Sequence, residues 1–395
     1  MAEHTSSKLQ GREVVLVEAA RTPLGRGHPE KGWFRDLHPN ELLGAAYKAV
    51  IARAGIEPEV VEDVVAGAVT QVGEQSNNIA RNAWLQAGLP VTTPASTVDR
   101  QCGSGQQAVS FAAGLIAAGV HDVMIGAGVE HMGRVPMGSN VAHADEFGTP
   151  FPPELMARYD LIPQGLSAEL IAERWEVTRA EQDELALRSH QLAARATDDG
   201  RFEREIIPIA VNGATYTSDQ GIRWDTSLEQ LAALKPAFKE GGTVTAGNSS
   251  QISDGAAAVL LMAREKADEL GLRPRARIFD AITVGVDPVI MLTGPIPATQ
   301  QLLLRNGMTI DDLELIEINE AFASVVGAWR RELHPDMDRV NVNGGGLALG
   351  HPLGSSGARL ITTLLHELER SDRELGLVTM CTAGGTGTGT ILQRL

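Results

Sequence analysis

Two stretches of the chain, 252 residues apart, follow the same pattern, and no other feature restricts the fold as much. Residues 54–69 (AGIEPEVVEDVVAGAV) and 306–321 (NGMTIDDLELIEINEA) share a helix-ending glycine, Gly55 or Gly307, then an apolar residue, an acidic turn and an apolar strand. At the same offset Ser104, in CGSGQQAVSFAAGLIAAG, falls on Ser356, in PLGSSGARLITTLLHELE, and each opens a helix that leads to a strand. An internal repeat of this kind means one supersecondary unit used twice. Chance likeness between generic α/β units is the competing explanation, because there is no third copy.

The local patterns fit such a unit. EVVLVEAA at 13–20 is short, β-branched and unbroken, which suits a strand covered on both faces. Residues 40–54 carry apolar positions at helical spacing behind an Asn40 cap, with Gly55 closing the helix. A strand at 61–69, helices at 78–87 and 103–118 and a strand at 121–130 continue the alternation that marks an α/β fold. Residues 134–250 break it, mixing Pro, Gly and polar clusters with amphipathic helices at 168–175 and 179–196; from Gly255 it resumes and runs to Leu395. The expected organisation is therefore a first α/β half at 1–133, an inserted segment at 134–250, a return to the first half at 251–275 and a second half at 276–395.

With 395 residues, the chain is long enough for several packed units. A formal net charge of −16 repels nucleic-acid backbones and anionic membranes, so neither is an expected partner, and a phosphate-bearing ligand needs a local basic group. Two cysteines, Cys102 and Cys381, are too few for a disulfide scaffold or a cysteine-only metal site. No apolar run approaches the roughly 18–20 residues of a membrane span, and MAEHTSSKLQ lacks the features of a signal peptide, so the expected location is cytoplasmic.

Cys102, in VDRQCGSGQQA, precedes a glycine-opened helix, where the dipole and free N–H groups favour a thiolate and lower the thiol pKa. The alternative is a small buried hydrophobe. His351 lies in NVNGGGLALGHPLGSSGARL, whose glycines allow a ligand close to the backbone; without a Lys it is a poor nucleotide loop. Cys381 stands where an apolar strand turns glycine-rich, VTMCTAGG, either facing a cleft or filling the core. Asn319 and Glu320, in LIEINEAFAS, read alone as a strand-to-helix cap. All four segments end strands or begin helices of the repeated halves, so they converge.

CGSG around Cys102, NEAFA from Asn319, GGGLALGHPLGSSG around His351 and CTAGG from Cys381 resemble, in order and spacing, the four signature blocks of the thiolases, and the similarity runs from VVLVEAARTPLGR to the last strand. The resemblance implies a five-layered αβαβα fold of two duplicated halves with an inserted loop domain, assembled as a homotetramer, a dimer of dimers. It implies reversible acyl transfer between coenzyme A and the α-carbon of acetyl-CoA. Cys102 then holds the acyl group as a thioester, His351 activates it, and Cys381 moves protons to and from the α-carbon and the CoA thiol. His351 with a water held by Asn319 forms one oxyanion hole, and the backbone N–H groups of Cys102 and Ala383 form the other. Coenzyme A is expected as a substrate, with no tightly bound cofactor and no metal. FKEGGTVTAGNSS resembles the family's pantetheine-binding stretch, which transfers Phe238, Ala246 and Ser250 as contacts, joined by Ala321 and Phe322; Arg223 takes the place of an arginine at the adenine end.

The chain also departs from the short-chain biosynthetic members, with Pro163, Gln164 and Gly165 where those usually carry HMG, and DRQCGSGQQA and CTAGG where NRLCGSGLQA and CIGGG are commoner. DRQCGS, SQISDGA and GPIPAT look more like degradative thiolases of actinobacterial type, which makes cleavage of 3-ketoacyl-CoA the expected reaction and synthesis of acetoacetyl-CoA the alternative. Ketoacyl synthases share the fold but place a second His where Asn319 stands. A non-catalytic acyl-CoA-binding protein would lack at least one of the four side chains, and none is missing.

Overall fold

The computed structural model describes residues 11–395; the ten residues in which no signal peptide was read lie outside the described residues. Ten strands build the main sheet: β1 Val14–Arg21, β2 Asp63–Gly67, β3 Ala95–Val98, β4 Val123–His131, β5 Ser253–Ala263, β6 Ala276–Gly285, β7 Leu315–Ile318, β8 Leu375–Thr382, β9 Thr386–Arg394 and the two-residue Gly25–Arg26, which pairs with β5 at one side of the path. Their order is β7-β8-β9-β6-β1-β5-β4-β2-β3. The seam between halves is the short antiparallel pairing of Val15 with Arg277 and Leu16 with Ala276. Outward from it, β1-β5-β4-β2 on one side and β6-β9-β8-β7 on the other are both joined antiparallel, antiparallel, then parallel. One unit has been used twice.

The offset survives in detail. Gly55 and Gly307 both end their helices in the left-handed region, with φ of 69° and 64°. Each is followed by a one-turn 3₁₀ segment, Pro58–Val60 or Ile310–Asp312, and then by a strand.

The main helices are α1 Pro39–Ala54, α2 Ile79–Gln86, α3 Ser104–Ala117, α4 Gln164–Arg174, α5 Arg179–Asp198, α6 Pro295–Asn306, α7 Ala323–Leu333 and α8 Leu353–Arg370. Three apolar cores stack them. Leu42, Tyr47 and Trp84 of α1 and α2 cover the outer face of the first half, and Leu302, Val326 and Trp329 of α6 and α7 cover that of the second. Between the halves, Val109 and Ile116 of α3 and Leu360 and Leu364 of α8 share one core with Leu16, Met124, Ile278 and Val378. The result is αβαβα in five layers.

Glycines let the central layer close. A Cβ on Gly105 would stand 2.7 Å from the Gly354 carbonyl oxygen, and one on Gly357 would strike the Gln106 backbone. Near the same crossing a Cβ on Gly67 would lie 2.7 Å from the Gly354 oxygen, and one on Gly354 would lie 2.7 Å from the Gly67 oxygen. Gly357→Ala is therefore expected to destabilise by about 3 kcal/mol, since backbone cannot move aside for the methyl group. Gly114→Ala, in open space on α3, should stabilise slightly, by about 0.5–1 kcal/mol. Denaturant unfolding of the two variants measures both, and equal effects would refute the crossing.

Two local expectations change. The cap of α1 is His38, not Asn40: its Nδ1 accepts the Asn40 N–H at 3.1 Å while Glu41 accepts the His38 N–H at 2.7 Å. Pro39, whose ring fixes a helical φ, takes the first helical position and moves the cap two residues earlier. Ser104 opens α3, but Ser356 is the fourth residue of α8, which begins at Leu353.

The segment between β4 and β5 carries α4 and α5 and is tied to β1 by a buried cluster. Arg21 bridges Glu205 at 2.6 Å and Asp219 at 2.7 Å, all nearly inaccessible to water. Among the described residues no helix is long and apolar enough to cross a membrane.

Candidate active site

From the end of β3 the chain makes a sharp elbow. Gln101 adopts φ of 48°, a conformation disfavoured outside glycine and held here by its surroundings. Asp99 Oδ1 accepts the Gln101 N–H at 2.7 Å, and Ser104 Oγ accepts the Arg100 N–H at 2.8 Å while donating to the Gln101 carbonyl at 2.6 Å. The elbow sets Cys102 just before α3, 2% exposed. The Ala383 N–H and its own N–H both favour negative charge on its sulfur, yet burial pushes the thiol up to about 12, with Glu130 and Asp99 adding to the rise. This reverses the expectation of a lowered pKa: removing the thiolate from water outweighs the helix terminus. Cys102 thus needs a base at the moment of attack.

His351 supplies the features of such a base. Burial, and then the cation of Arg359, lower its pKa to about 3, so the ring is neutral. Its Nδ1 lies 2.6 Å from Ser356 Oγ. Because that hydroxyl donates to the Pro352 carbonyl at 2.8 Å, it accepts from the ring, which assigns the proton to Nδ1 and makes Nε2 the accepting nitrogen. Asn319 Nδ2 approaches Nε2 at 3.3 Å. Asn319 is wholly buried, and its Oδ1 has no hydrogen-bond partner among the described residues.

Cys381, near the end of β8 and wholly buried, is raised by desolvation, with the charge of Cys102 as the next cause. The two thiols are therefore close enough to feel each other's charge. Cys381 packs with Ala168 and Ile171 of α4 and with Ile290, Met291, Leu292 and Phe322.

Two carboxylates that sequence reasoning passed over or misread hold the frame. Glu130, at the end of β4, accepts the N–H groups of Val69 and Thr70 at 3.0 Å, that of Gly354 at 2.8 Å and the Gln75 amide at 2.7 Å. A lone acid ending an apolar strand, in IGAGVEHM, was the available signal. Glu320 is no helix cap: it accepts Ser189 Oγ at 2.6 Å, Asn341 Nδ2 at 2.8 Å and the Leu347 N–H at 3.1 Å, clamping the glycine loop that carries His351.

Of the residues expected to hold coenzyme A, Phe238 and Phe322 meet edge to face at 5.9 Å, and the Ser250 N–H donates to the Ala321 carbonyl at 2.9 Å. Gly165 lies directly beneath the Phe238 ring, where any Cβ would collide with it. Ala246 and Arg223 are exposed. No hydrogen bond or ring contact among the described residues joins Arg223 to the Phe238–Phe322 wall; its N–H donates to His190 Nδ1 at 3.1 Å. Among the described residues no group of three or more His, Cys, Asp or Glu is placed to hold a metal ion.

Comparison with known proteins matches this arrangement. The family model "Thiolase, N-terminal domain" covers residues 14–265 and "Thiolase, C-terminal domain" covers 272–394. A steroid 3-ketoacyl-CoA thiolase of Mycobacterium tuberculosis is 46% identical over 97% of this chain and 94% of its own length. A 3-ketoacyl-CoA thiolase of Psychrobacter cryohalolentis is 44% identical over 98% of this chain and 99% of its own. The crystal structure of the Bacillus anthracis acetyl-CoA acetyltransferase superposes with a TM-score of 0.90 at 39% identity, covering 99% of this chain and all of that one. With both halves matched in order, the chain belongs to the thiolase family.

Proposed function

We propose that this acyltransferase cleaves 3-ketoacyl-CoA with CoA, through a thioester on Cys102. Two observations support the reading: Cys102 is buried and protonated at the start of α3, and just before α8, which packs against α3, stands a buried histidine whose Nδ1 proton is fixed and whose Nε2 is the accepting nitrogen. In the first step the Cys102 proton passes to His351 Nε2 and the sulfur attacks the 3-keto carbon. The Cys102 and Ala383 N–H groups are placed to stabilise the oxyanion there. As the C2–C3 bond breaks, the electron pair goes to the acetyl-CoA enolate, whose oxygen meets His351 Nε2–H and an Asn319-held water, and the Cys381 proton goes to C2. In the second step the Cys381 thiolate takes the proton of incoming CoA, whose sulfur attacks the Cys102 thioester; the shortened acyl-CoA is released, and the departing Cys102 sulfur takes back the proton held on His351 Nε2. Mass spectrometry after incubation with a 3-ketoacyl-CoA in the absence of CoA should find one acyl group on Cys102. An adduct confined to Cys381 would exchange the two roles.

Coenzyme A is a substrate in this reading and not a resident cofactor. Phe238, Ala246, Ser250, Ala321 and Phe322 are proposed to line its pantetheine arm, and Arg223 to face its charged end. The assembly is proposed to be a cytoplasmic homotetramer, supported by the exposed Met137, Val141, Phe147, Phe151 and Met156 between β4 and α4. Light scattering of the purified protein tests the stoichiometry.

The acyl group is proposed to be larger than acetoacetyl. Pro163 caps and Gln164 begins α4, whose Ala168 and Ile171 share an apolar cluster with Cys381. A relative named for steroid substrates points the same way. Each buried methylene contributes roughly 0.8 kcal/mol, so four more carbons gain up to about 3 kcal/mol. The kcat/KM for a medium-chain or ring-bearing 3-ketoacyl-CoA is expected to exceed that for acetoacetyl-CoA; a steady decline with each added carbon would restore the short-chain alternative.

A further inference from the structure

Arg359 is the most anomalous side chain in the molecule. It is wholly buried in the central layer, and none of its three guanidinium nitrogens makes a hydrogen bond among the described residues. Its nearest carboxylate is Glu317, 3.7 Å from a terminal nitrogen, 3% exposed at the side chain and likewise with an unpartnered Oε2. Buried cations are ordinarily hydrogen-bonded as well as paired. Burial pushes the Glu317 carboxyl up to about 8 and lowers the Arg359 guanidinium, and the 3.7 Å contact between them is the ion pair that Arg359 makes among the described residues.

Its place in the fold gives a reason. Glu317 and Asn319 are two residues apart at the end of β7, on the same face of the chain, while Ser356 and Arg359 are one turn apart on α8. Asn319, His351 and Ser356 form one polar rung across that gap, and Glu317–Arg359 forms the next. The other charged groups near His351 are engaged elsewhere. Glu320 is held by Ser189 and Asn341, and Glu130 by three backbone N–H groups and Gln75. Asp254 lies against His131, and Glu205 and Asp219 pair with Arg21. The thiols of Cys102 and Cys381 are protonated at rest. Arg359 is thus the cation whose field falls on the imidazole, and it is the charge that adds to burial in holding His351 neutral.

We propose that the buried Glu317–Arg359 pair positions His351, fixing the spacing of β7 and α8 on which the Asn319–His351–Ser356 rung depends. This rests on the reading of His351 as the base for Cys102. Neither residue touches substrate; both act through His351.

The double variant Glu317→Gln/Arg359→Gln removes both ionisable groups and keeps the side chains polar, and Arg359→Lys keeps the cation. With the double variant, kcat is expected to fall about tenfold with KM nearly unchanged, and the acid limb of kcat/KM to move up by about one pH unit. Arg359→Lys should leave that limb where it is. A folded double variant with wild-type kcat and an unmoved acid limb would overturn the proposal. If the double variant does not fold, ¹⁵N NMR of the wild-type imidazoles decides, the His351 signal being assigned by its loss in His351→Gln. His351 should remain unprotonated down to about pH 5, whereas protonation near its ordinary value of about 6.5 would sink the idea. The acyl adduct on wild-type Cys102 separates the two levels: its absence defeats the function proposed above, while its presence with an unmoved profile defeats only the Glu317–Arg359 role.

Discussion

Cys102→Ser should abolish thiolysis, with a loss of roughly 10⁴-fold or more in kcat, because the residue is the electrophile's partner in both half-reactions. A thiol raised to about 12 by burial is still within reach of a neutral imidazole acting as attack proceeds. An alcohol in the same dry position is a much weaker acid, and its conjugate base would be less tolerated still. The variant should fold as the wild type does, since the elbow is held by Asp99 and Ser104 and not by the sulfur. Initial rates with a 3-ketoacyl-CoA and CoA, alongside circular dichroism, give the answer; a folded serine variant retaining a tenth of the activity would remove Cys102 from the mechanism.

Asn319→Ala should lose about 10²- to 10³-fold in kcat, the amount typical for one oxyanion-hole donor. The amide is wholly buried, donates toward His351 Nε2 and keeps its Oδ1 free of any partner among the described residues. That is a costly arrangement for a residue whose task is packing alone, and it fits one that orients a water and a ring. Alanine removes both contacts. Thermal unfolding together with turnover separates a collapsed site from a lost donor, and near-native turnover in a folded variant would refute the role.

The layered architecture was legible because it depends on patterns a chain cannot hide: unbroken apolar strands, helix-ending glycines and an offset kept across the whole length. The segments that carry Cys102, Asn319, His351 and Cys381 stood out because glycine and polar neighbours surround these residues. Desolvation was not. The Cys102 sequence context predicts a lowered pKa, but whether the sulfur sees water depends on Ala383, Thr382 and the packing of α3 against α8, hundreds of residues away. Ser356, Glu130 and Arg359 escaped for a related reason. Each is chemically ordinary in its own segment and acquires meaning only from the partner that folding brings to it. The Asn40 cap failed more locally, since a proline one residue earlier set the helix start.

The 252-residue offset also carries Cys102 onto Gly354 and Asn319 onto Gly67. Those two glycines, whose backbones press together at the crossing of the central helices, stand where a mirror-image reaction centre would be. The fold is symmetric, but its chemistry is not: Cys102 of the first half and Asn319 of the second carry a thiol and an amide, while their equivalents, Gly354 and Gly67, carry no side chain and approach each other closely. On the proposed mechanism each chain therefore carries a single acyl group at a time.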